Sequence, residues 1–96
     1  MTAKLYWTPR ALSDLRSVRS FIEQDSPHYS VVVVGRILDA VERLEVFPQS
    51  GREVPEFARP DLREIVMPPY RIVYRVVSET SVHVVTVHHS ARLLRE

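Results

Sequence analysis

Several arginine and histidine side chains between residues 63 and 89 could together bind phosphate and transfer protons. Arg63 lies in a short apolar segment, Arg71 and Arg75 share one β-branched stretch, and His88 and His89 end the next such stretch. Guanidinium groups suit phosphate because their N–H donors match its oxygens in pairs. An imidazole, with an ordinary pKa of about 6.5, can act as acid or base near neutral pH. These five residues are the candidate site.

The elements that must position these side chains are two strands joined by a polar turn, between Pro69 and His89. Tyr70 to Val77 and Val82 to His89 are both dense in β-branched and aromatic residues, which favours strands. With residues 79 and 80 as a two-residue tip, the strands are antiparallel. The predicted pairs are Val77 with Val82, Arg75 with Val84, Val73 with Thr86, and Arg71 with His88.

That register gives the hairpin one polar and one apolar face. The predicted polar face carries Arg71, Arg75, Thr86 and His88. The predicted apolar face carries Tyr70, Ile72, Tyr74, Val76, Val85 and Val87. We expect the apolar face to pack against helices, because one face of an antiparallel sheet usually covers the core. No Asn-Gly or glycine fixes the tip, so a different loop length would change the pairing.

Upstream of the hairpin, the sequence predicts a strand over residues 4–7 followed by two helices. Thr8-Pro9 and Ser26-Pro27 each combine a capping residue with a proline at the first helical position. The first helix is expected from about Pro9 to Gln24. The second ends near Glu45 to Phe47, because the following proline disfavours helical geometry before it.

The apolar residues of both segments recur with the helical period. They are Ala11, Leu15, Val18 and Ile22 in the first helix and Val34, Ile37, Leu38, Val41 and Leu44 in the second. The run Val31 to Val34 would favour a strand on propensity alone, but the longer helical pattern predicts a helix. We expect these valines to pack in the core, and the alternative is a partner-binding surface.

The segment from Pro48 to Pro60 carries three prolines and a glycine, which indicates an ordered loop or extended segment held to the core by Val54 and Phe57. Leu62 to Val66 then predicts a strand before a double proline. The element order is strand, two helices and a three-stranded meander. It predicts an α+β fold with both helices on one face of a mostly antiparallel sheet.

Composition limits the classes of protein to consider. A chain of 96 residues with 45% hydrophobic and 26% charged residues fits a single domain spanning residues 1–96. It has no apolar stretch of about 20 residues and no signal-peptide pattern, so we expect a cytoplasmic protein with no membrane association. The net charge of +1 is too mild to indicate a nucleic-acid-binding domain by itself.

Cofactor and metal chemistry is not expected. The chain has no cysteine, which excludes thiolate nucleophiles and cysteine-based metal sites. A metal site built from His83, His88 and His89 is disfavoured, because adjacent histidines on a strand point to opposite faces and no suitably spaced carboxylate completes a ligand set.

The element order and three stretches of sequence make the chain resemble the RelE/ParE superfamily of bacterial type II toxin–antitoxin toxins. The stretches are Trp7 to Leu15, FPQSGREVPE from Phe47 to Glu56, and Leu62 to Val76 followed by VTVHHSAR. The resemblance covers nearly the whole chain. It implies a toxin that causes growth arrest until an antitoxin neutralises it.

The superfamily contains two activities, and the fold does not choose between them. RelE-like toxins cleave messenger RNA on the ribosome without a metal, whereas ParE-like toxins inhibit DNA gyrase. Tyr70-Arg71 matches the tyrosine–arginine pair of the RelE-like enzymes, which implies a phosphate-binding role for Arg71. His88 and His89 lie in the region where other members place catalytic histidines.

Other positions depart from the RelE-like pattern. Leu62, Glu64 and Val66 stand where those enzymes place lysines, Ser90 stands where an arginine is expected, and Glu96 lies near the place of a terminal tyrosine. The resemblance therefore favours the ParE-like branch, with no catalytic residues of its own and with Arg71, Arg75 and Arg63 as candidate target- or phosphate-binding residues. The alternatives are a ribonuclease that uses Arg71, His88 and His89, or a degenerate toxin that only binds its antitoxin.

The partners implied by the resemblance are a ParD-like antitoxin and either gyrase or the ribosome with its mRNA. The antitoxin is expected to lay a helix on apolar surface of the helical hairpin, and an extended segment can add to a free sheet edge. A homodimer and a toxin–antitoxin heterotetramer are both compatible with the sequence.

Overall fold

Two helices that begin at prolines follow directly after the first strand. A computed structural model describes residues 2–90, and its first elements are β1 (Lys4–Trp7), α1 (Pro9–Glu23), α2 (Pro27–Glu42) and a 3-10 turn (Arg43–Glu45). The side chains of Thr8 and Ser26 accept hydrogen bonds of 3.1 Å from the third backbone N–H that follows each of them. Both helix starts therefore agree with the capping prediction, and the valine run lies inside α2.

The remaining strands are β2 (Arg52–Glu53), β3 (Leu62–Met67), β4 (Tyr70–Ser78) and β5 (Ser81–His89). The five strands form one sheet in the order β1-β5-β4-β3-β2, in which β1 runs parallel to β5 and the other neighbours are antiparallel. The Pro68–Pro69 peptide bond between β3 and β4 is cis. The predicted α+β order is confirmed, with β2 as a short extra strand inside the predicted loop.

The main core lies between the helices and one face of the sheet. Its fully or largely buried members are Ala11, Val18, Val33, Ile37, Ala40, Val41, Tyr70, Ile72, Val84 and Val87. A second cluster joins Ala3, Leu44, Tyr74 and Val82, with Val76 packed against it. Five of the six residues predicted for the apolar face of the hairpin are therefore confirmed. Leu38, predicted as core, is exposed.

Two β-bulges set the register of the β4–β5 hairpin. Ser78 faces Ser81, so the predicted two-residue tip is confirmed. The ladder skips Val77 on β4 and Val85 on β5, one residue on each strand. The predicted pairs Val77 with Val82 and Arg75 with Val84 are wrong, because the structure pairs Val76 with Val82 and Arg75 with His83. The two bulges offset each other, so the predicted pairs Arg71 with His88 and Val73 with Thr86 are confirmed.

The bulge at Val85 also moves two side chains to the face opposite the predicted one. Val85, predicted to pack on the helices, packs instead against a cluster of Val54, Leu62 and Val73 on the other face. Thr86, predicted on the polar face, donates its hydroxyl hydrogen to Asp14 Oδ2 on α1.

The second face of the sheet is not an open polar surface. The loop between β2 and β3 folds over part of it, where Val54 is buried and Phe57 packs beside the cluster of Leu62 and Val73. This confirms that Val54 and Phe57 hold the loop to the body of the protein. The strip of this face that holds Glu64, Arg71 and His88 lies beside the same loop.

Within residues 2–90, no helix has the length and apolar character needed to cross a membrane.

Candidate functional site

Arg71 lies between two carboxylates. Its Nε donates to Glu64 Oε1 at 2.6 Å, while Nη1 and Nη2 donate to the two carboxylate oxygens of Glu56 at 2.6 and 2.7 Å. Glu64 comes from β3, the neighbour of β4, and Glu56 comes from the loop that covers the second face. The Glu56 contact is a two-point pair, the geometry in which a guanidinium binds most strongly.

Glu64 is the buried centre of this arrangement, because its side chain has no exposed surface. Its second oxygen accepts a 2.6 Å hydrogen bond from Nε of Arg52 on β2. The four side chains thus form a row of alternating charge, Arg52–Glu64–Arg71–Glu56, which we call the ion-pair row. A buried carboxylate is tolerated only when it is paired and hydrogen-bonded, and Glu64 meets this condition through both arginines.

The charges of Arg71 and Glu56 are fixed across the physiological pH range. The hydrogen bonds from Arg71 lower the pKa of Glu56 from 4.5 to about 2, with a smaller favourable effect from the charge of His88. The pKa of Arg71 is raised, mainly by its hydrogen bonds to Glu56 and then to Glu64. Arg71 therefore remains positive and Glu56 negative at neutral pH. The carboxylates of Glu56 and Glu64 offset the positive charge of Arg71 that would otherwise attract a phosphate.

The two candidate histidines lie on opposite faces of β5. His88 is buried and faces Arg71 across the β4–β5 ladder. His89 faces Tyr70, and their rings meet edge to face with centroids 5.6 Å apart. His89 also lines a cleft of about 510 Å³ beside α1, together with Phe21. The structure brings His88 to Arg71 and places His89 in a different environment.

Arg63 and Arg75 do not join Arg71. Arg63 faces Tyr74 across the β3–β4 ladder, so it lies on the face opposite Arg71, and its Nη1 donates to the Gly51 carbonyl oxygen at 2.9 Å. Arg75 lies farther along β4, with its Nε 3.5 Å from Asp61 Oδ2. The three arginines predicted as binding residues are thus separated, and each contacts groups of the chain itself.

Asp61 is shared by two arginines. Arg59 donates two hydrogen bonds to it, of 3.2 Å to Oδ1 and 2.8 Å to Oδ2, and Oδ2 is also the oxygen of the longer Arg75 contact. These hydrogen bonds lower the pKa of Asp61, with a further contribution from the charge of Arg75. Asp61 and its arginines form a second ionic cluster on the loop, and it is exposed enough that solvent weakens it.

The partners of Arg71 could not be found from motif comparison. In that comparison Glu64 is only a departure from an expected lysine, and Glu56 and Arg52 belong to a loop motif that assigns them no role. The position of Glu64 in its strand could have indicated that it is buried. Glu64 follows the apolar Leu62 by two residues, and alternate residues of a strand lie on the same face of the sheet. A carboxylate at such a position requires cationic partners from neighbouring strands.

Within residues 2–90, histidines and carboxylates do not cluster in threes or more at a spacing that could hold a metal ion.

Comparison with known proteins places this chain among bacterial toxins. Residues 5–94 match the family model described as ParE toxin of type II toxin–antitoxin system, parDE. The chain is 40% identical to Toxin RelE2 of Caulobacter vibrioides over 92 residues, which cover 95% of this chain and 99% of that protein. It is 38% identical to the Putative toxin Y4kP of Sinorhizobium fredii over 89 residues, or 91% and 88% of the two chains.

A solved structure described as the chromosomal ParDE TA system from P. aeruginosa has a chain with a similar fold. It superposes with a TM-score of 0.74 at 20% sequence identity, over 92% of this chain and 96% of that chain. At this identity the comparison shows only the fold, which is two helices on a five-stranded sheet. The chemistry of the site must be argued from the residues of this chain.

Proposed function

We propose that this chain, which belongs to the ParE toxin family of type II toxin–antitoxin systems, acts in the cytoplasm by inhibiting DNA gyrase and is neutralised by a ParD-like antitoxin. Membership of the superfamily supports two parts of this proposal, that the chain is a toxin and that its partner is an antitoxin. The choice of gyrase as target and of a mechanism without catalysis rests on the surroundings of Arg71.

The observation that carries the proposal is the two-carboxylate environment of Arg71. Cleavage of an RNA phosphodiester builds negative charge on the phosphate in the transition state, and an enzyme must offset it with cations. Here Glu64 and Glu56 lie 2.6 Å from the arginine that would do this, and Arg63 and Arg75 lie elsewhere. A toxin that blocks a protein target by binding does not need an uncompensated cation at this position.

The helical hairpin supports binding of an antitoxin helix. Phe21 near the end of α1 and Val31 near the start of α2 are 68% and 67% exposed, and Tyr29 between them is half exposed. Large apolar side chains in this number at one end of a helix pair are typical of a surface that another chain covers. An amphipathic antitoxin helix that lays its apolar side on this end of the hairpin would bury them.

One observation favours a second candidate, a ribosome-dependent endoribonuclease. The confirmed pairing of Arg71 with His88 places a cation and an imidazole side by side on one face, which is the minimum for phosphate binding and proton transfer. This candidate requires Glu56 to leave Arg71 in the complex with RNA.

Purified gyrase and supercoiled plasmid test the leading proposal directly. With the chain added, we expect cleaved DNA that depends on gyrase and is suppressed by prior addition of the antitoxin. Induction in cells should activate the DNA-damage response before translation stops. Absence of gyrase-dependent cleavage, combined with new cuts in mRNA on primer extension, would establish the ribonuclease instead. No growth arrest without antitoxin would identify a degenerate toxin.

A further inference from the structure

The cleft beside α1 contains a carboxylate, that of Asp14, which forms no salt bridge within residues 2–90. The cleft has a volume of about 510 Å³. Its walls include Asp14, Val18, Phe21, Tyr70, Val87 and His89. The hydrogen bonds that Asp14 accepts from Thr86 and Val87 both end at Oδ2. The other oxygen of this carboxylate, Oδ1, is therefore available to a ligand in the cleft.

The walls of the cleft strengthen the attraction between Asp14 and a cation. Val18, Tyr70 and Val87 are buried, so apolar surface lies along the cleft. A carboxylate beside apolar walls is less well hydrated than one in water, and it attracts an opposite charge more strongly there. His89 packs its ring against that of Tyr70 and forms no salt bridge with Asp14. A cationic ligand would therefore find an unpaired carboxylate in this cleft.

We propose that this cleft binds the side chain of a lysine or arginine of the antitoxin. The cationic head group contacts Asp14 Oδ1, and the apolar stem lies along Val18 and Val87. Lysine and arginine bury their stems on apolar surface while the charged end meets a polar group. The inference deepens the proposed neutralisation by an antitoxin and rests on that part of the proposed function, whereas it does not depend on the choice of target.

The length of the cleft fits such a side chain better than it fits a small ion. Asp14 and Phe21 are two helical turns apart, so they lie on the same side of α1 and about 10 Å apart along its axis. A metal ion or free ammonium would occupy only the Asp14 end and leave the apolar walls uncovered. Phe21 is 68% exposed, and an antitoxin helix that covers it brings its own side chains to the mouth of the cleft. From there a long stem reaches Asp14.

The probe for the cleft itself is n-butylammonium chloride, which carries a cationic head on a four-carbon stem like that of lysine. NMR of the purified 96-residue chain follows its binding at the Val87 amide, which donates to Asp14. Asp14→Asn removes the charge but keeps an oxygen that can accept hydrogen bonds. We expect it to weaken n-butylammonium binding by roughly tenfold or more and to leave binding of the uncharged n-butanol unchanged. Asp39→Asn, at an exposed acid on α2, is the matched control with wild-type affinity.

Isothermal titration with the antitoxin identifies the occupant. We expect Asp14→Asn to weaken antitoxin binding by roughly tenfold to a hundredfold, and Asp39→Asn to bind with wild-type affinity. Each lysine and arginine of the antitoxin is then replaced by methionine, which keeps an apolar stem. One of these changes should weaken binding to the wild type but not to Asp14→Asn. In the wild type, n-butylammonium but not n-butanol should compete with the antitoxin, which tests the same contact without a substitution in the toxin.

Equal antitoxin affinity of the wild type and Asp14→Asn would overturn the proposal, even if n-butylammonium binds the cleft. So would a loss in Asp14→Asn that is coupled to no lysine or arginine of the antitoxin, because Asp14 would then act only through β5. Hydrogen exchange at the Val87 amide measures that structural effect and should be the same in Asp14→Asn and the wild type. Gyrase takes no part in these measurements, so this proposal and the choice of gyrase as target fail separately.

Discussion

The backbone N–H of Gly51 donates a 2.8 Å hydrogen bond to the buried hydroxyl of Tyr74, and the two residues are in direct contact. A Cβ atom on Gly51 would lie 2.6 Å from that hydroxyl oxygen and 2.7 Å from the Glu64 carbonyl oxygen. Only glycine lets the loop approach the sheet this closely. Burial raises the pKa of Tyr74, so the phenol stays protonated and remains a hydrogen-bond partner.

Gly51→Ala should therefore destabilise the protein. The added methyl group meets a fully buried ring and strand backbone, neither of which can yield, and overpacking of this kind costs typically about 1–3 kcal/mol. Chemical denaturation measures the change. Gly35→Ala is the matched control, since a Cβ there meets nothing within 4 Å and alanine within a helix is favoured by about 0.5–1 kcal/mol. Equal effects of the two substitutions would contradict the close approach.

Removing Glu64 should be more damaging than removing any exposed acid. Glu64→Ala leaves Arg52 without its short carboxylate contact and Arg71 with Glu56 alone, and breaking a buried ion pair costs about 3–5 kcal/mol. Denaturant unfolding of Glu64→Ala and of Glu53→Ala, an exposed neighbour on β2, provides the comparison. A loss below about 1 kcal/mol for Glu64→Ala would mean that the ion-pair row adds no more than an exposed salt bridge does.

The contribution of Glu56 to stability should depend on pH. Its pKa is lowered from 4.5 to about 2 in the folded protein, so its stabilising effect is present above about 4.5 and is lost as the pH falls toward about 2. The difference in unfolding free energy between the wild type and Glu56→Gln should be largest near neutral pH and should shrink through this window. The same comparison in an Arg71→Lys background should give a smaller difference. A constant difference would contradict the assigned cause.

Asp14 should be needed for the bulge on β5. Its Oδ2 accepts hydrogen bonds from the Thr86 hydroxyl and, at 3.1 Å, from the Val87 backbone N–H. Asp14→Ala leaves these buried donors unsatisfied, at a cost of about 1–3 kcal/mol. Hydrogen exchange at the Val87 amide should accelerate. Asp39→Ala, an exposed acid on α2, should leave exchange there unchanged, and similar exchange in both variants would contradict the role of Asp14.

The exposed apolar end of the helical hairpin should govern antitoxin affinity. Phe21→Ser and Val31→Ser each remove apolar area from the proposed interface, and burying such a side chain is worth about 1.5–3 kcal/mol, or roughly tenfold to a hundredfold in Kd. Isothermal titration with the antitoxin measures the change, and the unfolding free energy of the free toxin should alter little. Val77→Ser, at the distant hairpin tip, is the control. Unchanged antitoxin affinity in both helix variants would show that the antitoxin binds another surface of the toxin.

The fold followed from the sequence because its signals were local. Thr8-Pro9 and Ser26-Pro27 fix both helix starts, and the double proline bounds β3. The bulges did not follow, because neither strand contains a glycine to mark one. The two residues after the bulge at Val85 donate hydrogen bonds to Asp14, which is more than seventy residues away in the chain. A contact with such a distant side chain leaves no local pattern to detect.

Of the candidate site, the sequence predicts the pairing of Arg71 with His88 but not the carboxylates that contact Arg71. Arg71 and His88 were expected to meet, and they do. The two glutamates that contact Arg71 come from separate segments of the chain. A motif comparison that expects a lysine at position 64 shows only that the lysine is missing. The pairing of a buried acid with its cations is a tertiary property, which depends on strand order and on the course of the loop.

The parallel pairing of β1 with β5 has a consequence for how the protein is made. Residues 4–7 pair with residues 81–84, and Thr8 donates a hydrogen bond to the Val85 carbonyl oxygen 77 positions away. During synthesis, the helical hairpin and the β3–β4 pair can form early, because their contacts are short-range. The sheet can close only after β5 has left the ribosome. The first strand of this toxin therefore stays without its partner in the sheet until β5 has been synthesised.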